Sequence, residues 1–247
     1  MQSNLIEKIA PLFSGWNETL IWSVLQGHMG YALADKGDNP TAAQLVLGDF
    51  CFFAGEPSAA FAAKAATREI VPRDASWHAA IEQAWGTRAE KRLRYAIKKE
   101  PNVFSRERLQ RFIDSIPAEY TLQLFDEAIY AASFQADWSH DFCDCFQSAA
   151  DFLSRGIGVA ALYRGAFVAG ASSYAVYDGG FEIEIDTNPA HRRLGLASAC
   201  GARLILKALD RGLYPSWDAF DLRSVALAEK LGYHLDHPYE IYMLRQD

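Results

Sequence analysis

"IEIDTNPAHRRLGLASACGARLILKAL" spans residues 183–209 and joins two patterns of different period. Its start alternates apolar and acidic residues, the period of two expected of a strand with one wet face. After "TNP" a long helix is predicted to begin close to Arg192 or Arg193, with Leu194, Leu196, Leu204, Ile205 and Ala208 as its buried stripe. Two arginines and a glycine therefore stand where a strand gives way to a helix. A helix start offers unpaired backbone N–H groups and a partial positive charge, a natural seat for phosphate oxygens, and arginines strengthen it. Gly195 and Ala197 have so little side chain that an anion can approach the main chain. A basic helix cap would use the same residues, and these alone leave the choice open.

Upstream, residues 18–35 carry apolar residues at helical spacing, and "GDNP" at 37–40 breaks the pattern. "AQLVLGDFCFFAG" at 43–55 reads as two short strands or one bent strand, and Trp77 to Trp85 as a helix. Arg92 to Lys98 alternates at period two, with a helix expected near 105–114. "DSIPAEY" at 114–120 has the composition of a boundary. This gives an N-terminal α/β domain over 1–115 and a second domain over 116–247. In the second, strand "YTLQLF", helix "DEAIYAASF", loop "QADWSHDF", helix "CDCFQSAADFLSR" and three strand patterns precede the opening stretch. A strand near "YPSWDAF", helix "RSVALAEKL" and terminal strand "YEIYML" follow it. The order is α/β, mixing antiparallel hairpins with helical crossovers.

Half of the residues are hydrophobic, enough to bury a core. Lys and Arg total 24 against 31 Asp and Glu, a net charge of −7, which argues against nonspecific attraction to nucleic acid or anionic membrane and suits a cationic small substrate. No stretch approaches the ~18 apolar residues of a membrane span, and no secretion signal opens the chain, so a cytoplasmic protein with reduced thiols is expected. "GIGVAA" at 156–161 fits a dinucleotide fingerprint but follows a helix and opens a strand, the reverse of the required context; Gly156 is read as a helix stop. Cys143 and Cys145 lack partners at zinc-finger spacing, and no metal is expected. The basic residues between Arg88 and Lys99 are read as a solvated face.

Arg192-x-x-Gly195-x-Ala197 resembles the R/Q-x-x-G-x-G/A signature of the GNAT N-acetyltransferases. Downstream, "DLRSVALAEKLGYHLDHPYEIYML" resembles the second signature of that family, with Asp221, Ser224, Leu231, Gly232 and Tyr233 in its places. Together with the order of strands and helices from about 117 to 247, the match covers roughly half of the chain. "SSYAVYDGGFEIEIDT", "RRLGLAS", "YPSWDA" and "LAEKLGY" look like a smaller GNAT group that includes a zwittermicin A self-resistance acetyltransferase and whose members carry an extra N-terminal region. The resemblance implies a GNAT-type mixed, mostly antiparallel sheet flanked by helices. It implies acetyl-CoA as acyl donor, held by Ile185, Asp186, Arg192, Arg193, Leu194, Gly195, Leu196, Ala197, Asp221 and Ser224. The acceptor it implies is a primary amine of a small molecule, and the N-terminal domain, read as a degenerate copy of the fold, would shape that choice. A homodimer is a further expectation.

A lysine-like amine, with an ordinary pKa of about 10.4, is almost wholly protonated at pH 7 and needs a base before it can attack a thioester. Glu182 and Glu184, two apart on one strand, share a face; GNAT enzymes often place a carboxylate there, and Glu182 is ranked first. An acidic solvent face is the alternative. The resemblance also implies an oxyanion site in the main-chain N–H groups beside Ile185 and Asp186, and an acceptor site near Trp138, His140 and Asp141. Two departures stand out: Ala228 replaces the tyrosine that many members use to protonate the departing thiolate, so that either the thiolate leaves without full protonation or Ser224 or another hydroxyl assists, and Asp221 replaces an asparagine. Together they leave room for another function, a non-catalytic acyl-CoA-binding or regulatory module.

Overall fold

The computed structural model describes residues 2–245, with the side chain of Gln2 set aside. In chain order the elements are α1 (Gln2–Ile9), α2 (Thr19–Leu25), β1 (Tyr31–Ala34), β2 (Ala42–Leu47), β3 (Phe50–Gly55), α3 (Ala59–Ala62), β4 (Glu69–Pro72), α4 (Ala75–Trp85) and β5 (Ala89–Ile97). They continue with α5 (Arg106–Asp114), β6 (Tyr120–Leu124), α6 (Glu127–Ser133), α7 (Ala149–Arg155), β7 (Gly158–Tyr163), β8 (Ala166–Tyr177) and β9 (Gly180–Thr187). The last are α8 (Leu196–Asp210), β10 (Tyr214–Ser216), β11 (Asp218–Ala219), α9 (Leu222–Leu231) and β12 (Leu235–Leu244). Two compact units result, one of residues 1–94 with 238–247 and one of residues 95–237.

The first unit orders its strands β1-β2-β3-β4-β12-β5. Of the two readings of 43–55, two short strands or one bent strand, the structure has two strands, β2 and β3, paired antiparallel throughout, and β4 runs parallel to β3 after the short α3. Its core gathers Phe53, Phe61, Ile70, Trp77 and Tyr242, and the Trp77 indole N–H is satisfied by the Gly55 carbonyl at 3.1 Å. The helix expected over 18–35 stops at Leu25 instead. Gly27 and Gly30 turn the chain with positive φ, and a Cβ on Gly30 would lie 2.2 Å from the Val46 carbonyl oxygen, so the turn both needs glycine and feeds an edge strand. The basic residues from Arg88 onward are less solvated than expected. Arg94 is buried on Glu69 at 3.2 Å, and Lys91 reaches Glu82 at 2.8 Å.

The second unit holds a sheet ordered β10-β9-β8-β7-β6, antiparallel except for the parallel β9–β10 pair. α5 packs on α8, and α8 covers β7, β8 and β9. The division of the chain differs from the boundary at 115/116. Ser115 is the C-cap of α5, which belongs to the second unit, and the chain changes unit inside β5 and again inside β12. A strand interrupted in this way leaves no Pro- or Gly-rich linker for composition to reveal. The helix expected over 143–155 begins only at Ala149, where the Ser148 hydroxyl accepts the Asp151 amide at 3.1 Å. Cys143 and Phe146 imitate helical spacing, but they are buried from a turn. Gly156 does end α7, donating its amide to the Phe152 carbonyl at 2.7 Å.

Candidate active site

The opening stretch folds as strand, turn and helix, with the helix starting later than its apolar stripe suggests. The Asn188 side chain accepts the Ala190 amide and opens a 3₁₀ turn over Pro189–His191. Arg192 is extended, Arg193 takes φ +64°, and Gly195 takes φ +80° as the N-cap of α8. α8 has no side-chain cap. The other α-helices with described N-caps all have one, supplied by Glu18, Ser58, Asp74, Ser105, Asp126, Ser148 or Asp221. The first amides of α8 are thus left without the side-chain acceptor that those other helices have, at the positive end of a 15-residue dipole. A Cβ on Gly195 would meet nothing within 4 Å, so the space before these amides is open. Uncapped donors, an open approach and adjacent arginines fit the phosphates of a CoA-type nucleotide.

β9 carries the carboxylates into this turn. β10 pairs with β9 only from Gly180 to Glu182. The chain then leaves the sheet and pairs Asp218 and Ala219 with Ala96 and Tyr95 of β5, so the edge of β9 beyond Glu182 loses its neighbour. On the other edge Asn188 donates its amide to Val168 at 2.9 Å. Antiparallel alternation then points the amides of Asp186 and Glu184 toward β8 and that of Ile185 toward the open edge. Of the two residues expected beside the oxyanion site, Ile185 faces the gap and Asp186 does not.

Glu182 and Glu184 share a face of β9, as the spacing requires. Ser172, opposite Glu184, donates its hydroxyl to the Phe142 carbonyl at 2.7 Å, so this is the face on which the 3₁₀ helix Asp137–Phe142 packs. Glu182 is buried at 6 % exposure and Glu184 is half-buried. Near Glu182 lie Tyr214 and Tyr233. Burial raises both phenols above their usual range, and the Glu182 charge adds to it. Tyr233 donates to the Pro215 carbonyl at 2.7 Å, and Tyr177 bonds Ser216 at 2.7 Å. Sequence reading missed the Tyr177–Ser216 pair and Tyr214, and gave Tyr233 only a place in a signature. Their convergence depends on the β9–β10 register, which leaves no local pattern.

Asp221, the departure from asparagine, is the N-cap of α9. Its carboxylate accepts the amides of Arg223 and Ser224, both at 2.9 Å, and pairs with the Arg223 guanidinium at 2.7 Å. Burial pushes its pKa up, but the amides and Arg223 outweigh it and hold it below the ordinary carboxylate value. Asp221→Ala is expected to cost about 1 kcal/mol of stability at pH 7. Because the folded pKa is depressed, this contribution is full above about pH 3.9 and lost as pH falls through the lower folded value. Urea midpoints of wild type and variant should converge in acid. Equal midpoints at pH 7 would remove the capping role.

The Ser224 hydroxyl accepts the indole N–H of the buried Trp217 at 3.0 Å, which leaves its own proton to be donated elsewhere. Ala228 lies four residues on and is fully buried. Trp138 is half-buried against Phe167 and Phe142, with ring centroids 5.1 and 6.0 Å away, as a core anchor would be. His140 and Asp141 are exposed and adjacent, His140 Nδ1 lying 3.6 Å from the Asp141 carboxylate. Leu194 is exposed in the turn, while Leu196 is buried and Ala197 half-buried at the start of α8.

A mixed sheet whose parallel strand pair splays beside the uncapped start of a long helix is the GNAT type of fold that the signatures implied. The profile of the GNAT acetyltransferase family matches residues 10–242, and the chain belongs to that family. A crystal structure of a GCN5-related N-acetyltransferase-like protein from Streptococcus suis 89/1591 is similar across 99% of this chain and 100% of its own, with 40% identity and a TM-score of 0.93. The uncharacterized N-acetyltransferase YdfB of Bacillus subtilis (strain 168) is 30% identical over 131 residues, 51% of this chain and 49% of its own length. The chain thus spans about half the length of this curated relative. A GCN5-related N-acetyltransferase from Kribbella flavida shares the fold at 15% identity and a TM-score of 0.53, covering 100% of this chain and 96% of its own.

Proposed function

We propose that the chain is an acetyl-CoA-dependent N-acetyltransferase acting on a primary amine of a small molecule. The observation that carries this reading is the uncapped start of α8, placed directly after the strand that bears Glu182 and a free main-chain edge. The family generally draws its acyl group from acetyl-CoA, whose thioester supplies an activated acetyl carbon. Arg193, Gly195, Leu196 and Ala197 would hold its phosphates. Glu182 takes a proton from the acceptor amine, directly or through water, as nitrogen bonds to the acetyl carbon. The Ile185 amide offers a donor for the oxygen that gains charge. As the carbon–sulfur bond breaks, Ser224 can give its proton to the leaving sulfur, a modest task for a thiol of ordinary pKa about 8.5.

Glu182, Glu184 and the acidic residues of the 3₁₀ helix, Asp137 and Asp141, favour a cationic acceptor, and the likeness to the zwittermicin-type group favours an amino-containing antibiotic or metabolite. Four free cysteines suit a reducing, cytoplasmic setting. Among the described residues no helix is long and apolar enough to cross a membrane. The first unit reads as a degenerate copy of the fold. Its β1-β2-β3, α3, β4, α4 repeats the order β7-β8-β9, α8, β10, α9, but α3 has four residues and Ser58 caps it, closing the equivalent seat.

Ala228, in place of the customary tyrosine, favours a second reading in which the chain binds acyl-CoA without transferring the acyl group. Calorimetric titration with acetyl-CoA, followed by thiol release against aminoglycosides, polyamines and amino-containing antibiotics, separates the two. Micromolar binding with acceptor-dependent thiol release is expected. Binding without release supports the second reading, and no binding to the folded chain rejects both.

A further inference from the structure

Adjacent arginines in the turn before α8 are engaged differently. Arg192 is folded back onto the strand it follows: its Nε donates to the Thr187 carbonyl at 3.0 Å, and its Nη2 reaches the Asp186 carboxylate at 3.4 Å. The same Asp186 oxygen accepts the Thr187 amide at 2.6 Å. The Nε–Nη2 edge, one of the two with which a guanidinium grips a pair of phosphate oxygens, is therefore already used. Arg193 is exposed, sits at φ +64°, and has no hydrogen bond or ion pair within the described residues.

We infer that the two residues divide the work of the proposed CoA site. Arg193 supplies the cation that meets the phosphates, and Arg192 is a positioning residue that never touches them. Arg192 ties the turn to the end of β9 and neutralises Asp186, whose carboxylate would otherwise stand unscreened two residues from the turn and repel a phosphate. This rests on the CoA reading above. It reverses the simplest expectation from the signature, in which the first arginine is the ligand.

The test is calorimetry with CoA and with pantetheine, which lacks the phosphates, together with melting of the ligand-free protein. Arg193→Gln should weaken CoA about tenfold, flatten its salt dependence, and leave both pantetheine affinity and Tm unchanged. Arg192→Gln should lower the ligand-free Tm by about 2–4 °C and weaken CoA. Adding Asp186→Asn should restore CoA to within about threefold of wild type, because asparagine keeps the acceptor for the Thr187 amide and removes the charge. If Arg192→Gln leaves Tm intact and its CoA loss is not rescued, Arg192 is a ligand and the division is wrong. An Arg193→Gln variant with full affinity also overturns it. If the wild-type chain binds no CoA, the cofactor reading falls and Arg193's role with it, and the Tm of Arg192→Gln then decides the bracing role alone.

Discussion

With any amine that the wild-type chain acetylates, Glu182→Gln is expected to lower kcat/KM by about 10²–10⁴-fold, the range of a positioned general base. Glutamine matches glutamate in shape, so the strand and its neighbours, half-buried Tyr214 and buried Tyr233, keep their packing and the loss reads on proton transfer. Glu182 is the last residue of β9 paired with β10, where the two strands part, and it is almost fully buried. Glu184 is further along the open edge and half-buried, so Glu184→Gln should cost less than tenfold. The deficit of Glu182→Gln should shrink near pH 10, where a lysine-like amine of pKa about 10.4 is substantially neutral without help. Initial rates of thiol release from pH 6 to 10 test this. Full activity of both variants at every pH would end the carboxylate-base mechanism, and a larger loss from Glu184→Gln would exchange the two roles.

Gly195→Asp should separate stability from binding. The residue precedes the one α-helix with a described N-cap that lacks a side-chain acceptor. A carboxylate there meets the positive end of α8 and should contribute about 0.3–1 kcal/mol. Against this stands the cost of holding a residue with a Cβ at φ +80°, roughly 1–2 kcal/mol. The ligand-free protein should therefore melt within a few degrees of wild type. The same carboxylate would occupy the open space in front of the first amides of α8 and oppose the phosphates, so acetyl-CoA affinity should fall at least about 100-fold. Calorimetry and thermal melting of one preparation check both. Unchanged affinity in a well-folded Gly195→Asp protein would place the nucleotide elsewhere.

What could be read from the sequence was local. The alternation in "FEIEID" gave β9 and put Glu182 and Glu184 on one face, and "AQLVLGDFCFFAG" gave apolar strand without deciding between two short strands and one bent one. The two signatures gave the cradle and α9, because caps, turns and amphipathic stripes are set by residues within a few positions of each other. Even there, the start of α8 was misplaced by the exposed Leu194, which imitates the buried stripe, and Phe146 did the same for α7.

Sequence alone therefore determined the GNAT family, the strand-turn-helix that bears its first signature, and the pair of carboxylates on one strand. Tertiary structure decided how those parts became a site. Only the three-residue parallel pairing of β10 leaves the edge of β9 open, brings Tyr214 and Tyr233 to Glu182, and turns the Ile185 amide toward the gap. Only the placement of β12 beside β4 puts the last strand of the chain in the first unit. And only the folded turn shows Arg192 spent on Thr187 and Asp186 while Arg193 stays exposed. The first two are pairings of strands distant in sequence, settled by packing and loop closure across the chain, and the third is the backbone course of a turn that residue preferences alone do not specify.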